Sequence, residues 1–439
     1  MENYFDALIV GSGTSGTYLS FKLAKSNFKV LVIDKDKEED ICNRFDIIHF
    51  QYDDFLKHGL ALPKEGDPDM VEIFHDVYTR SALDKNEKRN SINVYAAHFH
   101  MLFERLKGEA IKAGARFSFN TSYKEIIYNT QGNPIGIKAI KDSKPIEYYA
   151  GLIVDATGMS SSLRRDIKSQ YMENFSITPL DRFYVTLSYV KWKDGTKTLT
   201  STSYPYFKSW IAPCSFESGG IIGTGAVSSI AHAKEKQKHF LERIKVKDFE
   251  LIKEEGGSTP YSRSPYSFIS DNFLIIGDTA LLTNPMSGEG MSYTLEFIDM
   301  ALPTLKKALK ENDFSALNLW PININYNRDK ASIDSLIRSG IISVLAMSEE
   351  ENDYLFEKNI IFKSDSDTEP NMIKELISGL FKGKISFKSF KLVLRQFSNG
   401  KKIFNHYKKF PSDISKYHKW VNKSNKIWKK IGHISYYDK

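Results

Sequence analysis

The sequence predicts an α/β protein: a parallel sheet, discontinuous along the chain, carrying an inserted antiparallel-sheet lobe and followed by a helical C-terminal region. Three observations predict it. Residues 7–34, "ALIVGSGTSGTYLSFKLAKSNFKVLVID", read as strand, glycine turn, helix and strand, a βαβ unit. The stretch from about 180 to 230 is strand-rich and aromatic ("RFYVTLSYVKW", "SYPYFKSWIAPCSF", "GGIIGTGAVSS"), the pattern of an antiparallel sheet. At 273–277, "FLIIG" is again a buried-strand pattern, so the first sheet is interrupted and then resumed.

Each element follows from its local pattern. Residues 6–10 are a short apolar strand, "TYLSFKLAKSN" is a helix and "KVLVID" is the second strand. Residues 98–114, "HFHMLFERLKGEAIKAG", place apolar side chains at helical spacing and stop at Gly114. "RFSFNTSYKEIIYN" and "PIGIKAIKDSKPIEYYAGLIVDATG" alternate apolar and polar residues, as strands do. A helix is expected from about 289 to 311, and 313–439 has helical spacing throughout. The expected division is 1–170 as the first part of the nucleotide domain, with some segments of the second lobe within 45–100, then 171–265 as the antiparallel lobe. The nucleotide domain resumes over 266–312, and 313–439 is a helical, basic region.

Composition bounds the class. The 439 residues are 41% hydrophobic, enough for a sizeable core. No apolar run of about 18 residues occurs, and the first residues lack a basic segment, so neither a spanning helix nor a secretory signal is expected. Two cysteines exclude a disulfide scaffold and suit a reducing compartment, so the expected location is cytoplasmic or peripheral on the inner membrane face. The net charge of +7 is uneven: residues 371–439 hold 17 Lys or Arg against three acids, leaving the rest net negative. A solvated Lys-rich face explains such a run, and so does an anionic bilayer, where each cation near the surface adds about 1 kcal/mol. No recognition motif accompanies the charge, so no nucleic acid is expected as a partner.

Gly11, Gly13 and Gly16 fit G-x-G-x-x-G between a strand and a helix, where glycines permit a tight turn and close approach of a pyrophosphate to a helix N-terminus; Ser15 lies inside that turn. Asp34 ends the second strand, where an acid accepts hydrogen bonds from a ribose diol, and Lys35 follows it. The motif alone does not separate FAD from NAD.

Two later stretches bear on that choice. "IVDATGMSSSLRR" (153–165) and "FLIIGDTALLTNPMSGEGMSYTLEFIDMA" (273–301) resemble signatures of the FAD-dependent oxidoreductases built like the aromatic hydroxylases. The resemblance implies FAD, with Ala156 and Gly158 near the dinucleotide, and Gly277 and Asp278 at the ribityl chain, where Asp278 would hydrogen-bond a hydroxyl. It further implies that Pro285, Gly288, Gly290 and Met291 lay backbone N–H groups and a helix N-terminus against the flavin ring. Reduced flavin is anionic, and a helix dipole with a loop of amides stabilises negative charge.

Within that superfamily, four features resemble the geranylgeranyl reductase branch, particularly the archaeal enzymes that saturate isoprenoid chains of membrane lipids. They are Cys42 in "DKDKEEDICNRFDIIHF", the form "DATGxxSxxR", "SALNLWPININY" (315–326) and "NHYKKFPSDISKYHKWV". The resemblance spans nearly the full length. It implies hydride transfer from reduced flavin to one alkene carbon, a proton to the other, and a long-chain isoprenoid lipid as substrate. No second nucleotide-binding βαβ unit is visible, so the electron donor stays open between NAD(P)H and a ferredoxin-like reductant.

The resemblance puts Cys42 beside the flavin, where it orients substrate or relays a proton; as a plain residue it is a small apolar filler. Tyr206 and Trp210 lie in "YPYFKSWIAPCSFESGGIIGTG", the equivalent of the branch's aromatic run, and are otherwise core aromatics. Pro213 is kept there, but Ala212 replaces the second aromatic, which leaves chain length and head group open. Tyr204 and ordered water are further proton-donor candidates, and Cys214 reads as structural. Many members place an arginine toward the pyrophosphate where this chain has "YAAHFHMLFERL"; His98, His100 or Arg105 would be substitutes, though core or solvent-facing histidines are the simpler reading. The histidines show no H-E-x-x-H or paired-cysteine spacing, so no metal is expected. Two alternatives share the scaffold. One is an FAD monooxygenase or halogenase, whose "DG" variant of 155–158 and tryptophan-rich motif are missing here. The other is an electron-transfer dehydrogenase subunit, which would depend on a partner for its cluster.

Overall fold

The structure, a computed structural model, describes residues 3–214, 219–368 and 370–432. Two eight-stranded sheets organise it. The first runs in the order Ile269–Ser270, Phe273–Ile275, Lys144–Asp155, Tyr4–Val10, Val30–Ile33 and Arg116–Ser118, with the hairpin Thr121–Tyr128 and Pro134–Lys141 leaning on the long strand Lys144–Asp155. Its central pairings are parallel, and Phe273–Ile275 returns beside Lys144–Asp155 after an excursion of more than a hundred residues. Ala7, Leu8 and Ile9 are fully buried, the uninterrupted apolar run expected of a parallel strand covered on both faces. Helices Thr14–Ala24, Phe99–Lys112 and Met291–Glu311 contribute Leu19, Leu102 and Phe297 to the same core.

The second sheet runs Phe249–Pro260, Arg182–Trp192, Gly219–Val227, Ser209–Ala212, Ser201–Tyr204, Met70–Arg80, Glu87–His98 and Ile47–Gln51. Three of its strands thus come from residues 47–98, early in the chain. Its pairings are antiparallel except where Ser201–Tyr204 lies beside Met70–Arg80. Alternation along Arg182–Trp192 separates two faces. Ser188 turns to helix Ile230–Ile244, where its hydroxyl donates to Gln237 at 2.9 Å. Val185 and Leu187 turn the other way, into a cavity. The α/β architecture with an antiparallel lobe and a helical C-terminal region, read from the sequence, is the architecture present.

Helices Ala316–Tyr326, Ser332–Leu345, Glu349–Glu357, Met372–Phe381, Phe387–Tyr407 and Tyr417–Ile431 make up the C-terminal region. Tyr407, Phe410, Tyr417 and Trp420, the aromatics of the basic tail, are buried with Trp320 and Tyr266 in the main core, so the tail is an integral wall with lysines on its outer side. No helix of the described residues is long and apolar enough to cross a membrane.

Candidate active site

Three separated stretches meet at the carboxyl end of the parallel sheet. Gly11 holds a φ of +105°, and a side chain there would collide with the Ala156 carbonyl. Gly16 lies against the Gly11 carbonyl oxygen, and Gly277 against Ser15 Oγ, with equally little room. Gly158 joins them by accepting a 2.9 Å hydrogen bond from the Thr279 hydroxyl. The loop 11–16, the turn 156–158 and the segment from 277 onward are therefore packed backbone to backbone, while Gly13 faces open space at the N-terminus of Thr14–Ala24. Asp155 holds the middle turn, accepting from Thr157 N–H at 3.0 Å, from the Thr157 hydroxyl at 2.6 Å and from Arg164 N–H at 2.7 Å.

The acids around this opening have distinct roles. One Asp34 oxygen accepts from Ser12 N–H at 2.6 Å and from the Ser12 hydroxyl at 2.9 Å, which ties the second strand to the glycine turn. Lys35 points away and pairs with Asp36 at 2.6 Å. Asp278 is different. Among the described residues no donor reaches its carboxylate, and burial pushes its pKa up to about 6, with the Arg44 charge pulling the other way. A half-buried carboxylate lacking a protein donor, a helix N-terminus without a side-chain cap and an open Gly13 face fit a dinucleotide whose hydroxyls and phosphates supply the missing partners. Cys42 sits at the same opening with a φ of +58°; burial pushes its thiol up to about 12, although Thr14 N–H donates to the sulfur. At neutral pH it is a protonated thiol.

The loop 284–291 closes on itself, Asn284 N–H donating to Glu289 O at 2.8 Å and Gly288 N–H to Asn284 O at 3.0 Å, and hands over to helix Met291–Glu311 at Gly290. The antiparallel sheet pins it: the Tyr261 hydroxyl donates to Pro285 O at 2.9 Å, and the Phe183 ring packs tilted against Tyr261 with centroids 4.9 Å apart. Glu289 accepts from Ser292 N–H at 2.8 Å, yet burial, reinforced by the charge of Asp54, raises its pKa. Asp54 is itself buried, with Oδ2 unpartnered.

From this loop an apolar cavity of about 1290 Å³ extends into the molecule. Its floor is one face of the second sheet, with Ile47, Val94, Phe183, Val185, Leu187 and Ile221; its roof is Ile337, Ile341 and Val344 of Ser332–Leu345, with Phe356, Val393 and Phe397 beyond. Asp54 and Glu289 line the end formed by loop 284–291. Trp210 lies in the floor, its indole resting where Gly223 of the neighbouring strand has no side chain, and Tyr206 lines the wall. Cys42 does not line it. Tyr204 turns to the far face of the sheet, packed on Phe240, which removes it from the proton-donor candidates. His98, His100 and Arg105 are held by Asp46, the Ile41 carbonyl and Asp69, so none reaches toward the glycine turn. Cys214 is buried in the sheet's core. Sequence reasoning missed Asp54, Phe183, Tyr261 and Glu289; for Glu289 the signal was an acid inside the very loop assigned to the ring.

The profile of the FAD binding domain family matches residues 4–296. The chain belongs to that family. Its cofactor is FAD, and the protein is an FAD-dependent oxidoreductase. The chain is similar to the digeranylgeranylglycerophospholipid reductase of Sulfolobus acidocaldarius, 22% identical over 96% of this chain and 97% of the relative. The fold is similar to that of a geranylgeranyl bacteriochlorophyll reductase-like protein from Thermoplasma acidophilum, with a TM-score of 0.72, 16% identity, and coverage of 92% of this chain and 99% of the other. A flavin-dependent brominase shares the fold at a TM-score of 0.60 and 18% identity, over 76% of this chain and 87% of the other. In this flavoprotein, Gly11–Gly16 and Asp34 would hold the adenosine and pyrophosphate end, Asp278 the ribityl chain, and the loop 284–291 the ring.

Proposed function

We propose that this flavoprotein saturates carbon–carbon double bonds of long isoprenoid chains carried by membrane lipids. The observation that carries the reading is the apolar cavity of about 1290 Å³ reaching from the loop 284–291 to the C-terminal helices. Ordinary small-molecule sites hold about 300–1,000 Å³, so a slender hydrocarbon chain uses this space better than a compact polar substrate. The likeness to an archaeal digeranylgeranylglycerophospholipid reductase supports the same class.

Reduced FAD supplies a hydride when bound. The chain does the rest. Phe183, Val185, Leu187 and Trp210 bind the hydrocarbon and exclude water. An isolated alkene has no carbonyl to hold developing negative charge, so a proton must reach the second carbon early, and a group that stays protonated beside the ring loop is required. Glu289 is the carboxyl we assign to that role: it lines the cavity at the loop, and burial, reinforced by the charge of Asp54, shifts its pKa upward, toward the protonated form. Cys42 lies at the cofactor end, its sulfur accepting from Thr14 N–H at the start of the first helix.

The test is anaerobic. Photoreduced holoprotein mixed with geranylgeranyl lipid should regain its oxidised flavin spectrum, and the fully saturated lipid should leave it reduced. Reoxidation that occurs only when oxygen is admitted would refute the reading and favour a monooxygenase.

A further inference from the structure

Helices Met372–Phe381 and Phe387–Tyr407 form a hairpin whose two sides differ. Inward, Leu376 and Gly379 are buried, and a Cβ on Gly379 would lie 2.6 Å from the Tyr354 ring, whose hydroxyl donates to Glu375 O at 2.9 Å. Outward, Ile373, Ile377 and Phe381, four residues apart along one helical face, are 50%, 41% and 87% exposed, and Phe387 at the start of the next helix is 63% exposed. Aromatic side chains this bare, grouped in one patch, mark an interaction surface.

The charges around the patch say what it meets. Lys374, Lys382, Lys384, Lys388, Lys391 and Arg395 are all exposed, Glu375 is the lone acid from 371 to 397, and among the described residues none of the six cations is in an ion pair. Lys391 Nζ lies 5.3 Å over the Phe387 ring, so cation and aromatic present together. Apolar side chains flanked by lysines match the boundary between acyl chains and anionic headgroups. The hairpin also walls the cavity: Met372, Val393 and Phe397 line it from the inner side. The more basic end of the chain has no such face, since no large apolar side chain is exposed from 398 to 432.

We infer that the hairpin 372–391 docks the protein on an anionic bilayer. Ile377, Phe381 and Phe387 enter the acyl boundary, the lysines meet headgroup phosphates, and an isoprenoid chain passes from the bilayer into the cavity beside Met372. The passage of the chain rests on the reductase reading; the docking stands on the patch alone.

Full-length holoprotein is sedimented with vesicles of phosphatidylcholine alone and with added phosphatidylglycerol. The expected result is binding to the anionic vesicles, weakened by salt. Phe381→Glu with Phe387→Glu reduces the bound fraction by about tenfold or more. Lys382, Lys384, Lys388 and Lys391 changed together to Ala weaken binding by about tenfold or more as well, through lost attraction to the headgroup phosphates. The phenylalanine variant keeps its FAD, its Tm and its reoxidation by detergent-dispersed geranylgeranyl lipid. The inference is overturned if the unmodified protein ignores anionic vesicles or if the phenylalanine variant binds like the parent. It is also overturned if the patch proves to hold a second copy, seen as a dimer that the variant dissociates. Failure of detergent-dispersed lipid to reoxidise the unmodified protein would count against the reductase reading and leave the vesicle result standing.

Discussion

Gly16 lies so close to Gly11 that no side chain fits between the helix and the Gly11 carbonyl oxygen, whereas Gly13, in the same turn, has nothing within 4 Å of where a side chain would begin. The two positions therefore fail differently. Gly16→Ala should misplace the helix, lower the Tm of the cofactor-free protein by the equivalent of about 1–3 kcal/mol and abolish FAD retention. Gly13→Ala should leave the cofactor-free Tm nearly unchanged and weaken FAD binding of order tenfold, ~1.4 kcal/mol, because the methyl takes space the pyrophosphate needs. Thermal melts with and without FAD check both; equal behaviour of the two variants would contradict the assignment of this turn.

Asp278 makes FAD affinity depend on pH. Burial raises the carboxyl to about 6 in the cofactor-free protein. A ribityl hydroxyl donating to it favours the ionised form, so its pKa falls on binding and a proton is released. FAD affinity should then be constant above about pH 6 and fall below it, by up to about tenfold per pH unit. Asp278→Asn should flatten the profile. Fluorescence titration with FAD across that range measures it.

Glu289→Gln should retain FAD and lower the rate of flavin reoxidation by lipid about 10²-fold, the scale of a positioned general acid. Because the Glu289 pKa is raised, the proton is present at low pH and lost as pH rises, so the parent's rate should fall with increasing pH while the variant's stays level. Stopped-flow rates over a pH series give the answer.

Gly340 lines the cavity from helix Ser332–Leu345 with nothing within 4 Å of a Cβ placed there. Gly340→Phe should fold as well as the parent, since phenylalanine is the better helix former, and should obstruct the chain path. Apolar fit changes of this kind are worth about 10–200-fold, so KM for a geranylgeranyl lipid should rise on that scale while a short geranyl analogue is spared.

The sequence made some of this legible and not the rest, for a physical reason. The glycine turn at Gly11, the Asp278 strand end and the loop at Gly288 could be read because each depends on short-range backbone geometry that few residue types permit. That the parallel sheet is interrupted by an antiparallel lobe and then resumed followed from the same local patterns. The cavity could not be read that way. Its roof joins Ile341 to Phe397, and its floor depends on the register that sets Trp210 opposite Gly223. Tyr204 and Tyr206 lie two residues apart, and the turn at Pro205–Phe207 sends them to different surroundings. The tail shows the same limit: Tyr417 and Trp420 look like interfacial aromatics in a lysine-rich stretch, but they are buried against Trp320 and Tyr266, while Phe381 and Phe387, in a less conspicuous segment, are bare.

The central claim is that the cavity presents an alkene to reduced FAD, and the mass of the product tests it most directly. Reduced holoprotein, kept free of oxygen and given a geranylgeranyl lipid, should yield a lipid heavier by two hydrogen atoms for each bond consumed and carrying no added oxygen or halogen. A product bearing either of those atoms, or an unaltered lipid beside flavin that is bound and reduced, would contradict the account.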